Sequence, residues 1–158
     1  MKNTFFVVLL SLFMLSNLSC LKNNNNSCTP KTPQSEQANI LAFASANGIS
    51  ATAHSSGLYY QVINSGSGVT PSASSKIFVK YTGKLTNGTV FDSKTDASQT
   101  GWILGDQIAG WQIGLSLIQK GGSIKLIIPS SLGYGCQVVG IIPADSILYF
   151  EVELVDVM

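Results

Sequence analysis

Apolar residues open the chain in an unbroken run, give way to a polar stretch, return at helical spacing, and from about position 57 alternate with polar residues. Residues 5–15 (FFVVLLSLFML) include one polar side chain, Ser11. As a helix, eleven residues at 1.5 Å each fall short of a bilayer core roughly 30 Å thick, so the run reads as the centre of an export signal rather than a span. Residues 21–33 (LKNNNNSCTPKTP) contain four consecutive asparagines and two prolines without an apolar period, which is the composition of a tether. Thr32 before Pro33 then supplies a capping hydroxyl and a pre-set first helical residue, predicting a helix over 33–47 that Gly48 ends. Its apolar stripe is Ile40, Leu41, Phe43 and Ala44. Fifteen residues are short for a dimerising arm, which favours packing on its own domain.

Beyond Gly57 the period is two. Strands are predicted over 58–63, 76–84 and from Val90, the last two joined at Asn87-Gly88, a dipeptide suited to a tight hairpin. Residues 93–100 form a polar loop, and 102–104 a short strand. Ile108, Trp111, Leu115 and Ile118 recur at helical spacing until Gly121-Gly122, predicting one core helix over 107–120. Strands follow over 123–128 and 147–157; in the last, Leu148, Phe150, Val152 and Leu154 face inward and Tyr149, Glu151 and Glu153 outward. The sum is an α+β domain over 57–158, a mostly antiparallel sheet wrapped on one helix.

Charge narrows the function classes. The nine basic residues are all lysines, scattered from Lys2 to Lys125, and eight acids oppose them. A nucleic-acid partner, which needs a clustered basic footprint, is not expected. His54 and three separated cysteines, Cys20, Cys28 and Cys136, form no metal-ligand spacing, so neither metal nor cofactor is expected. His54 falls in a loop and reads as solvated. Cys136 has no basic partner and reads as a small filler rather than a nucleophile.

Cleavage after Ser19 would leave Cys20 first, an arrangement that resembles a bacterial lipoprotein signal, although Asn17 stands where that pattern favours leucine. The resemblance implies a signal peptide over 1–19, acylation of Cys20, and a lipid-anchored tether and helix over 20–56, with the domain held at the membrane surface in the periplasm of a bacterial envelope. Removal of Lys2 would leave eight basic and eight acidic groups and no net charge, which argues against electrostatic steering of substrate. Export also makes a bridge between Cys28 and Cys136 chemically allowed, but nothing in the sequence brings a tether cysteine near Cys136.

Several motifs stand in order from Gly57 to the C-terminus: Val79-Lys-Tyr81-Thr-Gly83, Phe91-Asp92-Ser93, Leu104-Gly105, Gly110-Trp111, Ile128-Pro129, Tyr134-Gly135, Ile141-Ile142-Pro143 and Phe150-Glu-Val-Glu-Leu154. Together they closely resemble the FKBP family of peptidyl-prolyl cis-trans isomerases. The resemblance implies a twisted antiparallel half-barrel around one short helix. It also implies a proline pocket at Tyr81, Phe91, Asp92, Gln107, Ile108, Trp111, Tyr134, Ile141 and Phe150. In the family the residue matching Trp111 is the floor, and those matching Tyr81, Phe91 and Phe150 are walls. The Ile108 N–H and Tyr134 hydroxyl would bind substrate carbonyls, and Tyr81 would hold Asp92; Asp92, Tyr81 and Tyr134 are the candidate catalytic residues. Thr100 stands where small members carry a further aromatic, and the loop over 135–141 is short.

The implied activity is rotation of X-Pro bonds in exported polypeptides, with macrolides as expected inhibitors. The alternatives are a chaperone-like module that holds extended proline-bearing or apolar segments with little turnover, and an envelope lipoprotein that kept the fold without its pocket. The retained aromatic set argues against the last, and the short loop over 135–141, too small for an inserted domain, favours catalysis.

Overall fold

The computed structural model describes residues 28–158. The expected signal segment, the proposed acylation point Cys20 and the first part of the tether lie outside the described residues. Among the described residues no helix is long and apolar enough to cross a membrane.

Helix α1 spans Pro33–Ala46. It starts where Thr32 Oγ1 accepts from the Ser35 N–H at 3.3 Å, with proline at the first helical position. Short β1 (Thr52–Ala53), which sequence periodicity did not predict, then leads into β2 (Tyr59–Asn64). Next come β3 (Lys76–Leu85), β4 (Val90–Lys94), β5 (Trp102–Ile103), α2 (Ala109–Leu115), β6 (Ser123–Ile128) and β7 (Leu148–Val157). The sheet runs β1-β2-β6-β7-β3-β4, with β5 also on β3, and every pairing is antiparallel. The α+β class and antiparallel open sheet are those expected.

α2 lies against one face of this sheet. A Cβ on Gly110 would come within 2.5 Å of Ile128 Cγ2, and one on Gly114 within 2.5 Å of Leu126 Cδ2, so two glycines set how closely the helix approaches β6. Between them Ile77, Val79, Leu115, Ile118, Leu126, Leu148 and Leu154 are fully buried, forming the main core. The helix is shorter than the predicted 107–120. After Leu115 the chain tightens, with Leu117 and Ile118 donating to carbonyls three residues back, and this turn carries Ile118 into the core without further α-helix. The expected polar loop over 93–100 likewise holds the end of β4 and a short 3-10 turn, Ala97–Gln99.

α1 covers the opposite face, packing on its own domain. Ile40 and Ala44 are buried against Tyr59, Ile127 and Tyr149, and the Phe43 and Tyr149 rings lie 5.3 Å apart. Tyr149 therefore points outward from the main core, as alternation requires, yet is buried beneath the helix. Leu41 is exposed and does not belong to the stripe, whose members are Glu36, Ile40 and Ala44, each four residues from the next.

Cys28 and Cys136, 108 residues apart in sequence, form a disulfide with Cα atoms 5.4 Å apart. Cys136 is thus a bridge partner rather than a filler. By the chain-entropy account, closing a loop of that length removes about 4–5 kcal/mol of freedom from the unfolded chain. The two sulfurs and the Asp145 carboxylate lie within 4.8 Å of one another, the one group of metal-ligand type among the described residues, but the bridge occupies both sulfurs.

Candidate active site

The register of β3 with its neighbours assembles one wall of a cavity. Gly83 stands opposite Asp92 on β4 and Phe150 on β7, and Tyr81, two residues away on the same face, stands opposite Val152. In a regular strand Phe91 and Asp92 would point to opposite faces. Here the register shifts, pairing Gly83 with Asp92 but Lys84 with Val90, so that Phe91 is the extra residue of a bulge and both side chains reach the cavity. A Cβ on Gly83 would fall 2.6 Å from Phe91 Cε2 and 2.7 Å from Phe150 Cε1, so only glycine leaves room for these two rings.

α2 contributes Trp111, 3% exposed, from the side facing the sheet. Its ring meets Tyr81 at 5.1 Å and 86° and Phe150 at 5.3 Å and 80°, while Phe91 meets Phe150 at 5.4 Å and 83°. These are edge-to-face contacts, which lock the orientation of each ring through the next. The Trp111 Nε1–H is buried without a hydrogen-bond partner among the described residues. Ile108 occupies the N-cap position of α2 in an extended conformation, so its N–H is outside the helical ladder. The preceding turn is pinned by Gln112, whose Nε2 donates to the carbonyls of Gly105 at 2.9 Å and Gln107 at 2.7 Å.

The connection between β6 and β7 closes the other side with Tyr134, Val139, Gly140, Ile141 and Ile142. The cavity holds about 440 Å³. All nine residues named from the sequence line it: Tyr81, Phe91 and Asp92; Gln107, Ile108 and Trp111; Tyr134, Ile141 and Phe150. Ile141 is 61% exposed and forms rim rather than interior.

Trp102 lines the cavity too, its ring 5.9 Å from Tyr81 and 6.4 Å from Trp111. Sequence reasoning missed it by looking for the further aromatic at Thr100. Thr100 instead serves the backbone: its Oγ1 accepts from the Val79 N–H at 3.0 Å and donates to the Ala97 carbonyl at 2.7 Å. The signal for Trp102 was its place in a strand beside β3, where Ile77 is its partner. His54 is far from this constellation, half-buried in a turn with Nδ1 2.9 Å from Ser56 Oγ.

Polar chemistry in the cavity centres on one pair. The Tyr81 hydroxyl donates to Asp92 Oδ2 at 2.5 Å. Burial first, then the hydrogen bond to Asp92 and its charge, push the Tyr81 phenol well above its ordinary range. Burial and the Asp92 charge likewise raise Tyr134. Both phenols are therefore neutral at physiological pH, able to donate but not to act as bases. The site thus offers an aromatic box, a free backbone donor and neutral hydroxyls.

Comparison with known proteins accords with this geometry. The profile of the family described as FKBP-type peptidyl-prolyl cis-trans isomerase matches residues 68–155. The FKBP-type peptidyl-prolyl cis-trans isomerase FkpA of Buchnera aphidicola (subspecies Schizaphis graminum) is 41% identical over 145 residues, covering 86% of this chain and 57% of that protein. FkpA of Escherichia coli K12 is 44% identical over 116 residues, covering 73% of this chain and 42% of that one. The crystal structure of E. coli FkpA superposes with a TM-score of 0.67 at 38% identity, covering 80% of this chain and 59% of that one. A peptidyl-prolyl cis-trans isomerase from Pseudomonas syringae superposes with a TM-score of 0.65 at 27% identity, covering 82% and 98%. The chain belongs to the FKBP-type peptidyl-prolyl cis-trans isomerase family. It spans about half the length of the curated relatives it matches.

Proposed function

We propose that the chain is a peptidyl-prolyl cis-trans isomerase whose catalytic domain covers residues 57–158. The observation that carries this reading is the aromatic box of Tyr81, Phe91, Trp111 and Phe150 around a cavity edged by donors. Amide resonance opposes rotation by about 18–20 kcal/mol, and X-Pro bonds exchange over tens to hundreds of seconds. At the twisted state resonance is lost, the carbonyl oxygen carries less charge and the nitrogen regains its lone pair. A dry apolar cavity therefore penalises the planar imide more than the twisted one, and favouring the latter by about 4 kcal/mol yields a thousandfold acceleration.

In this reading Trp111 is the floor beneath the proline ring, and Phe91 and Phe150 are walls. The Ile108 N–H and Tyr134 hydroxyl hold carbonyls of the flanking peptide, and Tyr81 fixes Asp92 at the edge of the box. Gln107 and Ile141 complete the binding surface. The substrates are X-Pro segments of polypeptides, and macrolides that occupy the same cavity are inhibitors. The apolar run over 5–15 and the placement of Cys20 support export and a lipid anchor, with the domain acting on folding chains in the bacterial periplasm. Intact-mass analysis of the mature N-terminus would show an acylated Cys20; residues 1–19 still attached, or an unmodified Cys20, would contradict the anchor.

A protease-coupled assay on Leu-Pro and Phe-Pro peptides tests the activity. The wild-type chain accelerates cis-to-trans conversion, while Trp111→Ala and Asp92→Ala lose most of that acceleration. Absence of acceleration by the folded wild type would overturn the isomerase reading.

A further inference from the structure

We propose that residues 28–46, which precede the segment matched by the family profile, form a strap that positions the far wall of the cavity. Cys28, Cys136, Glu36 and Ser130 are then positioning residues for rotation at the proline. The proposal rests on the isomerase reading.

The wall in question lies in the connection over 129–147, which carries Tyr134, Val139 and Ile141 into the cavity. Its ordinary anchors are few: Ile142 is buried in the main core, and Leu132 and Tyr134 pack against that core. The connection contains one 3-10 turn, Ser130–Leu132, and a single bridge between Val139 and Ile142. Val138, 70% exposed, and Ile141 are not anchored by burial. A connection of this length with so few buried side chains has little local stability of its own.

The strap fastens it at two points. At its start, the Ser130 N–H and Oγ–H both donate to Glu36 Oε2, at 2.8 and 2.9 Å, in a contact from which water is excluded: Glu36 is 2% exposed and Ser130 fully buried. Hydrogen bonds buried in this way have no water to exchange with. Ser130 passes that constraint on, because its own carbonyl accepts from the N–H groups of Gly133 at 3.0 Å and Gly135 at 2.8 Å, the two residues flanking Tyr134. Immediately beyond, Cys136 is bonded to Cys28. On the return, the Asp145 N–H donates to the Gly135 carbonyl at 2.8 Å, which closes the connection on itself beside the bridge. The strap is itself packed down, since α1 is buried through Ile40 and Ala44 on the opposite face of the sheet. Tyr134 thus sits in a turn tied on one side to α1 through Glu36 and on the other to Cys28, just ahead of that helix.

The test uses the full chain, with kcat and KM measured on a Leu-Pro peptide before and after dithiothreitol. The dithiol supplies two electrons and two protons, the Sγ–Sγ bond becomes two thiols, and the reagent closes to its cyclic disulfide. Opening the bridge raises KM and lowers kcat/KM about tenfold, the scale of a displaced binding group, while far-UV dichroism is unchanged. Cys28→Ser reproduces the reduced value and no longer responds to the reagent. Glu36→Leu gives a comparable loss, whereas Glu36→Gln, which keeps a carbonyl acceptor for Ser130, retains most activity. If Glu36→Leu fails to fold, reduction of the wild type and Cys28→Ser carry the test. Equal kcat/KM in oxidised and reduced wild type, with a thiol count raised by two, overturns the strap even where the melting temperature falls. A wild type inactive in both states overturns the isomerase reading and the strap with it.

Discussion

The phenol of Tyr81 on β3 reaches across the unsubstituted Gly83 to donate to the carboxylate of Asp92 on β4 at 2.5 Å, joining the box to its polar edge. Asp92 is exposed and follows the bulged Phe91, so without this bond its carboxylate would turn freely in water. A double-mutant cycle of Tyr81→Phe and Asp92→Asn on kcat/KM is expected to show a coupling of about 1–2 kcal/mol, the range for a hydrogen bond to a charged group at a partly wet site. Additive losses would separate the two residues.

Gly83→Ala should injure both stability and activity. The new Cβ would meet Phe91 and Phe150 at 2.6–2.7 Å, and these rings must move into the cavity or away from each other. A loss of about 1–3 kcal/mol in urea unfolding is expected, with a larger fractional loss of activity than of folded protein. Gly88→Ala is the control: nothing lies within 4 Å of its Cβ, and only the φ of 90° opposes the change.

Trp102 gives a sharper test of the cavity's true lining. Trp102→Ala removes a wall that contacts both Tyr81 and Trp111, and the loss of those aromatic contacts, about 1 kcal/mol, corresponds to roughly a fivefold fall in kcat/KM. Thr100→Val, which touches only backbone groups outside the cavity, should lower stability and leave kcat/KM of the folded fraction intact.

The raised phenols fix a pH dependence. Tyr81 and Tyr149 lie well above 10.0, each through burial first and a carboxylate hydrogen bond second, and Tyr134 lies above 10.0 through burial and Asp92. In the unfolded chain these hydroxyls ionise at their ordinary value, so the unfolded state loses protons first. Their contribution to stability is complete below pH 10 and is lost as pH rises toward the folded values. Urea midpoints should hold steady from pH 8 to about 9.5 and then decline. Tyr81→Phe should make that decline shallower, and an unchanged slope would contradict the assignment.

What could be read without coordinates follows from which contacts are periodic. Strand β3 announces itself by burying alternate residues, and β6 and β7 alternate too except where α1 covers Ile127 and Tyr149; β6 falls on the expected 123–128. α2 was overextended because Ile118 keeps helical spacing while reaching the core through a tight turn. The nine cavity residues were named through motif order, since no period would put consecutive Phe91 and Asp92 in one place; only the bulge does that. Trp102 escaped notice because a two-residue strand has no period at all. Glu36 stands in the first turn of α1, and its burial against Ser130, 94 residues away, has no local signature. The same distance problem hid the Cys28–Cys136 bridge.

The central claim is that the dry aromatic cavity eases rotation about the imide bond, and exchange NMR observes that rotation without a coupled protease. With substoichiometric wild-type chain, a Leu-Pro peptide should show cis–trans exchange cross-peaks within a second of mixing. They should fade when a macrolide fills the cavity or when Trp111 is replaced by alanine. Cross-peaks absent with the folded wild type, or equally strong with Trp111→Ala, would contradict the account.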